Sequence, residues 1–397
     1  MQQALLIICL LLFVSYAAII IYYTISWSRI GNASPLTSHH SPFTTHLSII
    51  IPARNEENNI SACLQSIINQ SYLKNLYEVI VIDDHSTDAT ASIVQGFNQP
   101  NIKCIALKDF IGDEKNSYKK KGIEVGIAQA TGELIITTDA DCIAPPNWLQ
   151  TIATFYEEKK CDLIVMPVAI NCGLSFIEIF QALDFMTLQG ITGAAVHKKI
   201  HSMCNGANLA YAKKAFNVVN GFAGINNIAS GDDMLLMHKI YTQNKNGIAY
   251  LKSKEVIVQT APVHTIKEFF NQRIRWASKA DKYDDKRMLP VLVTVYFFNV
   301  LLLLLPLLAL LYSKKYSILS VVEGSNIQYS ILQLWIALLI VKTIVELIFL
   351  LPVAKFFNKQ SLLFLFPIMQ PFHIIYTVIA GWLGKFGSYS WKGRQVK

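Results

Sequence analysis

The pattern of apolar and polar positions divides the 397-residue chain into three stretches. Residues 4–25 are almost wholly apolar, and no charged residue precedes Arg29. About 20 apolar residues cross a bilayer as a helix. A cleaved signal peptide has a basic start and a shorter apolar core. The start Met1-Gln2-Gln3 and the length of the run therefore favour a retained anchor over 1–28, with Trp27 and Arg29 suited to its exit at the membrane interface. A polar linker, 29–46, carries Pro35 and Pro42. From residue 47 to about 287, short β-rich runs (47–51, 77–82, 102–106, 134–138 and 163–168) alternate with helical patterns (58–69, 87–96, 119–130 and 147–158). Such alternation predicts an α/β fold with a mostly parallel sheet, helices on both faces, and ligands bound at the carboxyl ends of the strands. The remaining stretch, 288–397, is apolar again, with candidate spans at 289–312 and 331–351. A third candidate, 361–383, contains Pro367 and Pro371, which open it to a kinked, re-entrant or interfacial path.

Composition sharpens this division. Hydrophobic residues make up 52% and charged residues 16% of the chain, against roughly 25% charged in ordinary soluble domains. A disordered chain is excluded and a purely soluble enzyme disfavoured. The net charge of +8 is not spread evenly: residues 46–287 hold 25 basic and 25 acidic side chains, so the excess lies in the apolar flanks, +1 before and +7 after. Anionic lipid headgroups suit a basic excess placed there, and nucleic-acid binding gains no support. The seven cysteines are scattered, without a metal-ligand spacing, and read as reduced, mostly structural thiols.

Carboxylates recur at the ends of the buried runs. Pro52-Ala53-Arg54-Asn55-Glu56-Glu57 follows the first run, and Asp83-Asp84-His85-Ser86-Thr87-Asp88 closes the second. A carboxylate just past a buried strand can accept a hydrogen bond from a ribose or a base, whereas Ser86 or Asp88 can equally cap the next helix. Two such loops in order favour a nucleotide. After the fourth run, Asp139-Ala140-Asp141 places two acids at i and i+2, able to share a hard cation with diphosphate oxygens. Asp232 and Asp233 open a later helix. Favourable charge at a helix N-terminus needs only one acid, which leaves the other for a general base acting on an acceptor hydroxyl. Finally, Gln272-Arg273-Ile274-Arg275-Trp276 joins the soluble stretch to the next apolar one. It reads both as an interfacial amphipathic helix and as a grip in which a guanidinium binds a diphosphate bidentately and an indole stacks on a sugar.

These features, in this order over residues 47–276, resemble membrane-bound glycosyltransferases of family 2, which have the GT-A fold. The flanking spans are similar to those of the cellulose synthase, hyaluronan synthase and ceramide glucosyltransferase-like members. The resemblance implies an integral protein of the inner or plasma membrane with a cytosolic catalytic domain, 47–287. It also implies a nucleotide-diphosphate sugar donor, with UDP expected, Mg²⁺ or Mn²⁺, and inversion at the anomeric carbon. Carried over by position, it implies that Glu57 lies near the nucleoside and that Asp83 contacts it, with Asp84 beside it. Asp139 and Asp141 then bind metal and diphosphate, and Asp233 is the catalytic base. Asp232 stands where the family has glutamate, and Gly231 where it has threonine. Gln272, Arg275 and Trp276 match the family's Gln-x-x-Arg-Trp signature, and 204–211 is similar to its acceptor-side Gly-x-Asn loop. Lys119 falls at the lysine of a Gly-Lys-x-x-Ala-Leu-Asn stretch from which Tyr118, Gly122, Ile123 and Glu124 depart; Lys119, Lys120 and Lys121 read alternatively as a solvated face.

The implied acceptor is a lipid or lipid-linked glycan, or else a growing polysaccharide. So few spans weigh against a self-contained polymer channel, and an amphipathic stretch at 174–196 suits a helix resting on the bilayer beside a lipid hydroxyl. The competing class is a transporter or receptor with a nucleotide-binding domain, which needs functional charges inside the spans. Lys342 and Glu346, at i and i+4, are either such a pair or a mutually neutralised one facing the bundle. Topology carries a conflict. A cytosolic catalytic domain followed by three spans puts the tail outside, whereas Lys385, Lys392, Arg394 and Lys397 favour the cytosol.

Overall fold

The computed structural model describes residues 2–33, 44–111, 118–200, 203–226, 228, 231–278, 287–316, 321–391 and 394–396. Pro35 and Pro42 of the linker, Ser230, and Lys392 and Lys397 of the tail lie outside the described residues. The chain forms two compact units, Arg29–Pro262 and a second built from Met1–Ser28 with Val263–Lys397.

In the first unit a main sheet runs in the order β3-β2-β1-β4-β8-β6-β9. Its strands are β1 (Leu47–Ala53), β2 (Tyr77–Asp83), β3 (Ile102–Ala106), β4 (Leu134–Thr137), β6 (Leu163–Val165), β8 (Leu209–Ala212) and β9 (Ile248–Tyr250). β1, β2, β3 and β4 are parallel, and β8 runs antiparallel to both β4 and β6. Ile49, Ile50, Ile51, Val79, Ile80, Val81, Ile82, Leu134, Ile135 and Ile136 are all fully buried. Unbroken β-branched runs, rather than alternating ones, are what a sheet covered on both faces requires. A smaller sheet holds β5 (Cys142–Ile143), β10 (Val258–Thr260) and β7 (Val168–Ile170). The run expected as one strand at 163–168 is divided: β6 stays in the main sheet and β7 joins the smaller one. Pro167 sits between them and has no N–H for a ladder.

The helices of this unit are α2 (Ile60–Ile68), α3 (Thr90–Gln95), α4 (Tyr118–Gln129), α5 (Trp148–Lys159), α6 (Phe176–His197), α7 (Lys213–Val218) and α8 (Asp232–Gln243). α4 lies unusually close to the sheet. A Cβ added to Gly126 would come within 2.8 Å of Ile50 Cγ2, and one on Gly122 within 3.2 Å of Ile82 Cγ2. Glycine at 126 thus lets the helix approach to a distance that fixes where its first turn lies relative to the strand ends. α6 departs from the expectation of a helix resting on a bilayer. Ile177, Phe180, Leu183, Phe185, Met186 and Ala194 are buried around its circumference, and its exposed bulky apolar group, Phe176, is its first residue. A helix apolar all round is a core helix.

At the opposite end of the sheet from those strand ends, Glu78 ties three strands together. Its carboxylate accepts from Ser48 Oγ at 2.9 Å, from Thr131 N and Oγ1 at 2.6 Å each, and from Lys103 Nζ at 2.9 Å. Burial alone would raise its pKa, but these donors bring it down to about 2.

The second unit contains α1 (Gln2–Arg29), α9 (Ile266–Ala277), α10 (Met288–Tyr316), α11 (Val321–Phe357), α12 (Phe366–Phe386) and a hairpin of β11 (Tyr389–Trp391) and β12 (Arg394–Val396). Four segments are long and apolar enough to cross a membrane: Gln3–Arg29, Met288–Leu311, Ile331–Phe357 and Gln360–Phe386. The proline-bearing segment is continuous: a 3₁₀ turn, Gln360–Leu365, leads into α12, with Pro367 in its first turn, where no N–H partner is needed. In α10, Pro306 cannot donate to the carbonyl of Leu302, and Trp335 Nε1 of α11 does so instead at 2.9 Å.

Lys342 and Glu346 are buried and paired at 2.7 Å. Lys342 Nζ also donates to Gln370 Oε1 at 2.7 Å, Gln370 Nε2 to Glu346 Oε2 at 2.5 Å, and Tyr16 OH to Glu346 Oε1. Both carboxylate oxygens therefore have donors, and the cluster joins α1, α11 and α12. This is the mutually neutralised pair, enlarged to four residues.

Two stability predictions follow from these clusters. Because the folded pKa of Glu78 is depressed, its stabilisation is complete above the ordinary carboxylate value of 4.5 and is lost as pH falls toward about 2. Full-length Glu78→Gln should have a lower Tm at pH 7, by the equivalent of about 3 kcal/mol, and the gap to the unaltered chain should close on acidification. Lys342→Met should destabilise the detergent-solubilised chain by roughly 3–5 kcal/mol, and the double change Lys342→Met/Glu346→Leu by less, since only the single change leaves a buried charge unpaired.

Candidate active site

The loops after β1 and β2 are stitched to each other. Asn55 and His85 both turn through the left-handed region, at φ +53° and +57°, which Asn and His tolerate better than most residues. Asn55 N donates to Ser86 Oγ at 3.0 Å and Thr87 N to Asn55 Oδ1 at 2.9 Å. Glu57 N donates to Asp88 Oδ2 at 3.1 Å, and Ala89 N to Glu57 Oε2 at 3.0 Å. One oxygen of Glu57 is therefore committed to holding the second loop. Asp83 Oδ1 accepts from Ser86 N at 3.3 Å, while Asp84 Oδ1 lies 3.0 Å from His85 Nδ1 and 3.7 Å from Arg54 Nη1.

Asp139 and Asp141 follow β4, and Cys142 opens β5 directly after them. Thr260 Oγ1 donates to Asp141 Oδ2 at 3.4 Å. Burial, then the neighbouring charges of Asp139 and Glu56, hold the Asp141 carboxyl above its usual range. Glu56, which the sequence reading passed over in favour of Glu57, thus belongs to this charged cluster. Burial, reinforced by Asp141 and Asp139, also pushes the Cys63 thiol up to about 12 and raises that of Cys142. Both stay protonated and are poor nucleophiles.

Lys119, at the start of α4, joins two of the predicted groups. Its Nζ lies 2.8 Å from Asp139 Oδ1 and 3.7 Å from Asp232 Oδ2. Burial would lower its pKa, but Asp139, Asp232 and Asp233 more than offset this and the net shift is upward. Asp233 is held by two backbone donors, Gly206 N to Oδ2 at 3.0 Å and Met234 N to Oδ1 at 2.7 Å. A Cβ at Gly206 would lie 3.3 Å from Asp232 Oδ2, 3.6 Å from Asp233 Cβ and 3.8 Å from Lys119 Nζ, so the 204–211 loop reaches the same point. Gly231 caps α8 at φ +81°, a conformation that the threonine usual in the family would adopt only with strain. The three lysines are not one solvated face: Lys120 is fully buried on the carbonyls of Ile225 and Ile228, and Lys121 pairs with Glu124 at 3.6 Å.

The donor set suits a hard divalent cation. Asp139 and Asp141 supply carboxylate oxygens, and the negative charges of Asp139 and Glu56 already crowd the half-buried Asp141. Among the described residues no three His, Cys, Asp or Glu side chains converge as a full ligand set. Two protein carboxylates completed by diphosphate oxygens and water is the usual arrangement for Mg²⁺.

Gln272, Arg275 and Trp276 lie on α9, in the second unit. Gln272 Oε1 accepts from Arg273 Nη1 at 2.6 Å, and the Arg273 guanidinium lies 4.6 Å from the ring of Phe269 and 4.2 Å from that of Trp276. Two of the three signature side chains thus attend to Arg273, which sequence reasoning did not single out. The spacing of Phe269, Arg273 and Trp276, at i, i+4 and i+7, was the available signal.

Two family profiles match this chain: "Glycosyl transferase family 2" over residues 48–218 and "Glycosyl transferase family group 2" over 134–382. The chain belongs to glycosyltransferase family 2. This glycosyltransferase is 26% identical over 324 residues to a probable glycosyltransferase of Sulfolobus acidocaldarius, covering 75% of this chain and 68% of that one. It is 35% identical over 120 residues to glycosyltransferase AglE of Haloferax volcanii, covering 30% of this chain and 38% of that one, so it spans well under half the length of that relative. Among solved structures it is similar to the mannosyltransferase PcManGT of Pyrobaculum calidifontis, with a TM-score of 0.55 and 17% identity, covering 94% of this chain and 99% of that one. At that identity the likeness carries the fold alone, and it is the GT-A fold.

Replacing Lys119 removes the cation shared by Asp139 and Asp232. Lys119→Met should leave the folded glycosyltransferase intact by circular dichroism and lower kcat/KM on the order of 100-fold, measured as nucleoside diphosphate released from the donor.

Proposed function

We propose that this glycosyltransferase moves a sugar, with inversion, from a nucleotide-diphosphate donor to a lipid or lipid-linked acceptor at the inner or plasma membrane, its catalytic unit facing the cytosol. The observation that carries this reading is the single ammonium of Lys119, lying 2.8 Å from Asp139 and 3.7 Å from Asp232. It joins one candidate diphosphate-binding acid, Asp139, to Asp232, the chain neighbour of the candidate base Asp233.

In this reading Asp83, Asp84 and Glu57 line the nucleoside end of the donor, and Asp139 and Asp141 would hold Mg²⁺ or Mn²⁺. When bound, the ion offsets negative charge as it grows on the departing diphosphate. Gln272, Arg275 and Trp276 serve the diphosphate and the sugar. Asp233, oriented by the N–H groups of Gly206 and Met234, takes the proton of the acceptor hydroxyl. The acceptor oxygen forms its bond to the anomeric carbon as the bond to the diphosphate oxygen breaks on the opposite face. Positioning and fixed charge supply most of the rate. Support for a membrane acceptor comes from the four membrane-length segments. PcManGT is described in complex with GDP-Man and Mn²⁺, which places GDP-sugars beside UDP-sugars among the donors to try.

The test uses the full chain in lipid nanodiscs with Mn²⁺, a panel of UDP- and GDP-sugars, and membrane lipid extract as acceptor. One donor should be consumed, with a single glycolipid product of inverted configuration. A ladder of products would indicate a polymer synthase instead. EDTA should abolish transfer, and transfer that survives it would remove the metal role of Asp139 and Asp141. Asp233→Asn should lower kcat by about 10²- to 10⁴-fold; near-normal transfer by the intact variant would remove Asp233 from the base role.

A further inference from the structure

Among the described residues of the first unit, Lys120 is the most thoroughly buried charged group, at 1% exposure. Its Nζ donates to the carbonyls of Ile225 and Ile228, at 2.7 Å each. Lys239, on α8, reaches the same stretch from the other side and donates to the carbonyls of Gly221 at 2.6 Å and Ala223 at 2.8 Å. Four carbonyls within eight residues are thus turned toward two ammonium groups, one on α4 and one on α8. A buried ammonium is costly unless hydrogen bonds compensate it. Packing of α4 on the sheet would be served as well by an apolar side chain at 120, so the charge needs another reason.

The reason lies in what the two helices carry. Adjacent residues leave a helix about 100° apart. Lys119 therefore faces Asp139 and Asp232 while Lys120 faces the 221–228 carbonyls. α8 begins with Asp232 and Asp233, four and five residues after Ile228. Gripping this stretch from α4 and from α8 at once ties the two helices to each other. We propose that Lys120 and Lys239 are positioning residues that, through the carbonyls of Gly221, Ala223, Ile225 and Ile228, hold the first turn of α8 in register with Lys119 and Asp139. The proposal rests on the reading of the Asp232–Asp233 turn as the acceptor-activating end of the site, and it assigns neither lysine any contact with substrate.

The decisive variant is full-length Lys120→Met in nanodiscs, which keeps the methylene stem and removes the charge. Three quantities are compared with the unaltered chain: kcat and donor KM with the UDP- or GDP-sugar that chain consumes, and amide hydrogen exchange over 219–226, over 232–243 and at Gly206. The expected result is exchange about tenfold faster in these segments, with kcat lowered about tenfold or more and KM within about twofold. Lys239→Met should shift the same quantities in the same direction by less. It keeps the question open to experiment if Lys120→Met does not accumulate. Unchanged exchange in both variants would overturn the proposal, and so would faster exchange with unaltered kcat, the signature of a purely structural lysine. Failure of the base reading is separable: it would appear as retained transfer in Asp233→Asn, whose exchange over 219–226 should stay normal.

Discussion

Crowded negative charge at the ends of the parallel strands is the constraint around which the first unit is arranged. Glu56, Asp139 and Asp141 gather on one side, Asp232 and Asp233 on the other, and the Lys119 ammonium lies between Asp139 and Asp232. Such a cluster is unfavourable unless cations compensate it. Lys119 supplies one. The hard-oxygen character of Asp139 and Asp141 invites another. In the proposed reaction negative charge grows on a departing diphosphate, and the Lys119 ammonium is already fixed where it can offset part of that charge.

Placing that ammonium depends on backbone packing rather than on Lys119 itself. Gly126 and Gly122 let α4 descend onto Ile50 and Ile82, so its first turn sits where a lysine can reach past β4 to Asp139. The loops after β1 and β2 hold each other through Asn55, Glu57, Ser86 and Asp88. Glu57 thus holds the two loops together, and in the proposed reading it serves the nucleoside end through this stitching. The far end of the sheet is secured independently by Glu78, which leaves the strand ends free to carry the chemistry.

The second unit solves a different electrostatic problem with the same logic. Among its described residues the two charges enclosed within the spans are each met by partners: Lys342 by Glu346 and Gln370, Glu346 also by Tyr16. The proline in α10 is answered by the Trp335 indole on the orphaned Leu302 carbonyl. In hydrocarbon an unmet polar group is costly, and these contacts therefore work as joints between helices. The requirement for functional charge inside the spans, which a transporter would impose, is not what this fully satisfied cluster suggests.

The sequence by itself determined the two kinds of solvent this chain meets, the parallel β-rich runs with their terminal acids, and the family. Those properties are written in local periodicity and in residues adjacent along the chain. The sequence offered Lys119 either as the family's lysine or as part of a solvated face with Lys120 and Lys121, and only the tertiary structure separated the three. Their roles follow from how α4 docks and which way each side chain leaves it. Likewise, β8 enters between β4 and β6 as an antiparallel strand, α6 turns out to be a core helix, and Arg273 takes the attention of Gln272 and Trp276. Each of these depends on contacts between segments distant in the chain, or on which face of a helix is covered. Local pattern carries no record of either, because hydrogen bonds, burial and charge pairing act through space while periodicity is read along the backbone.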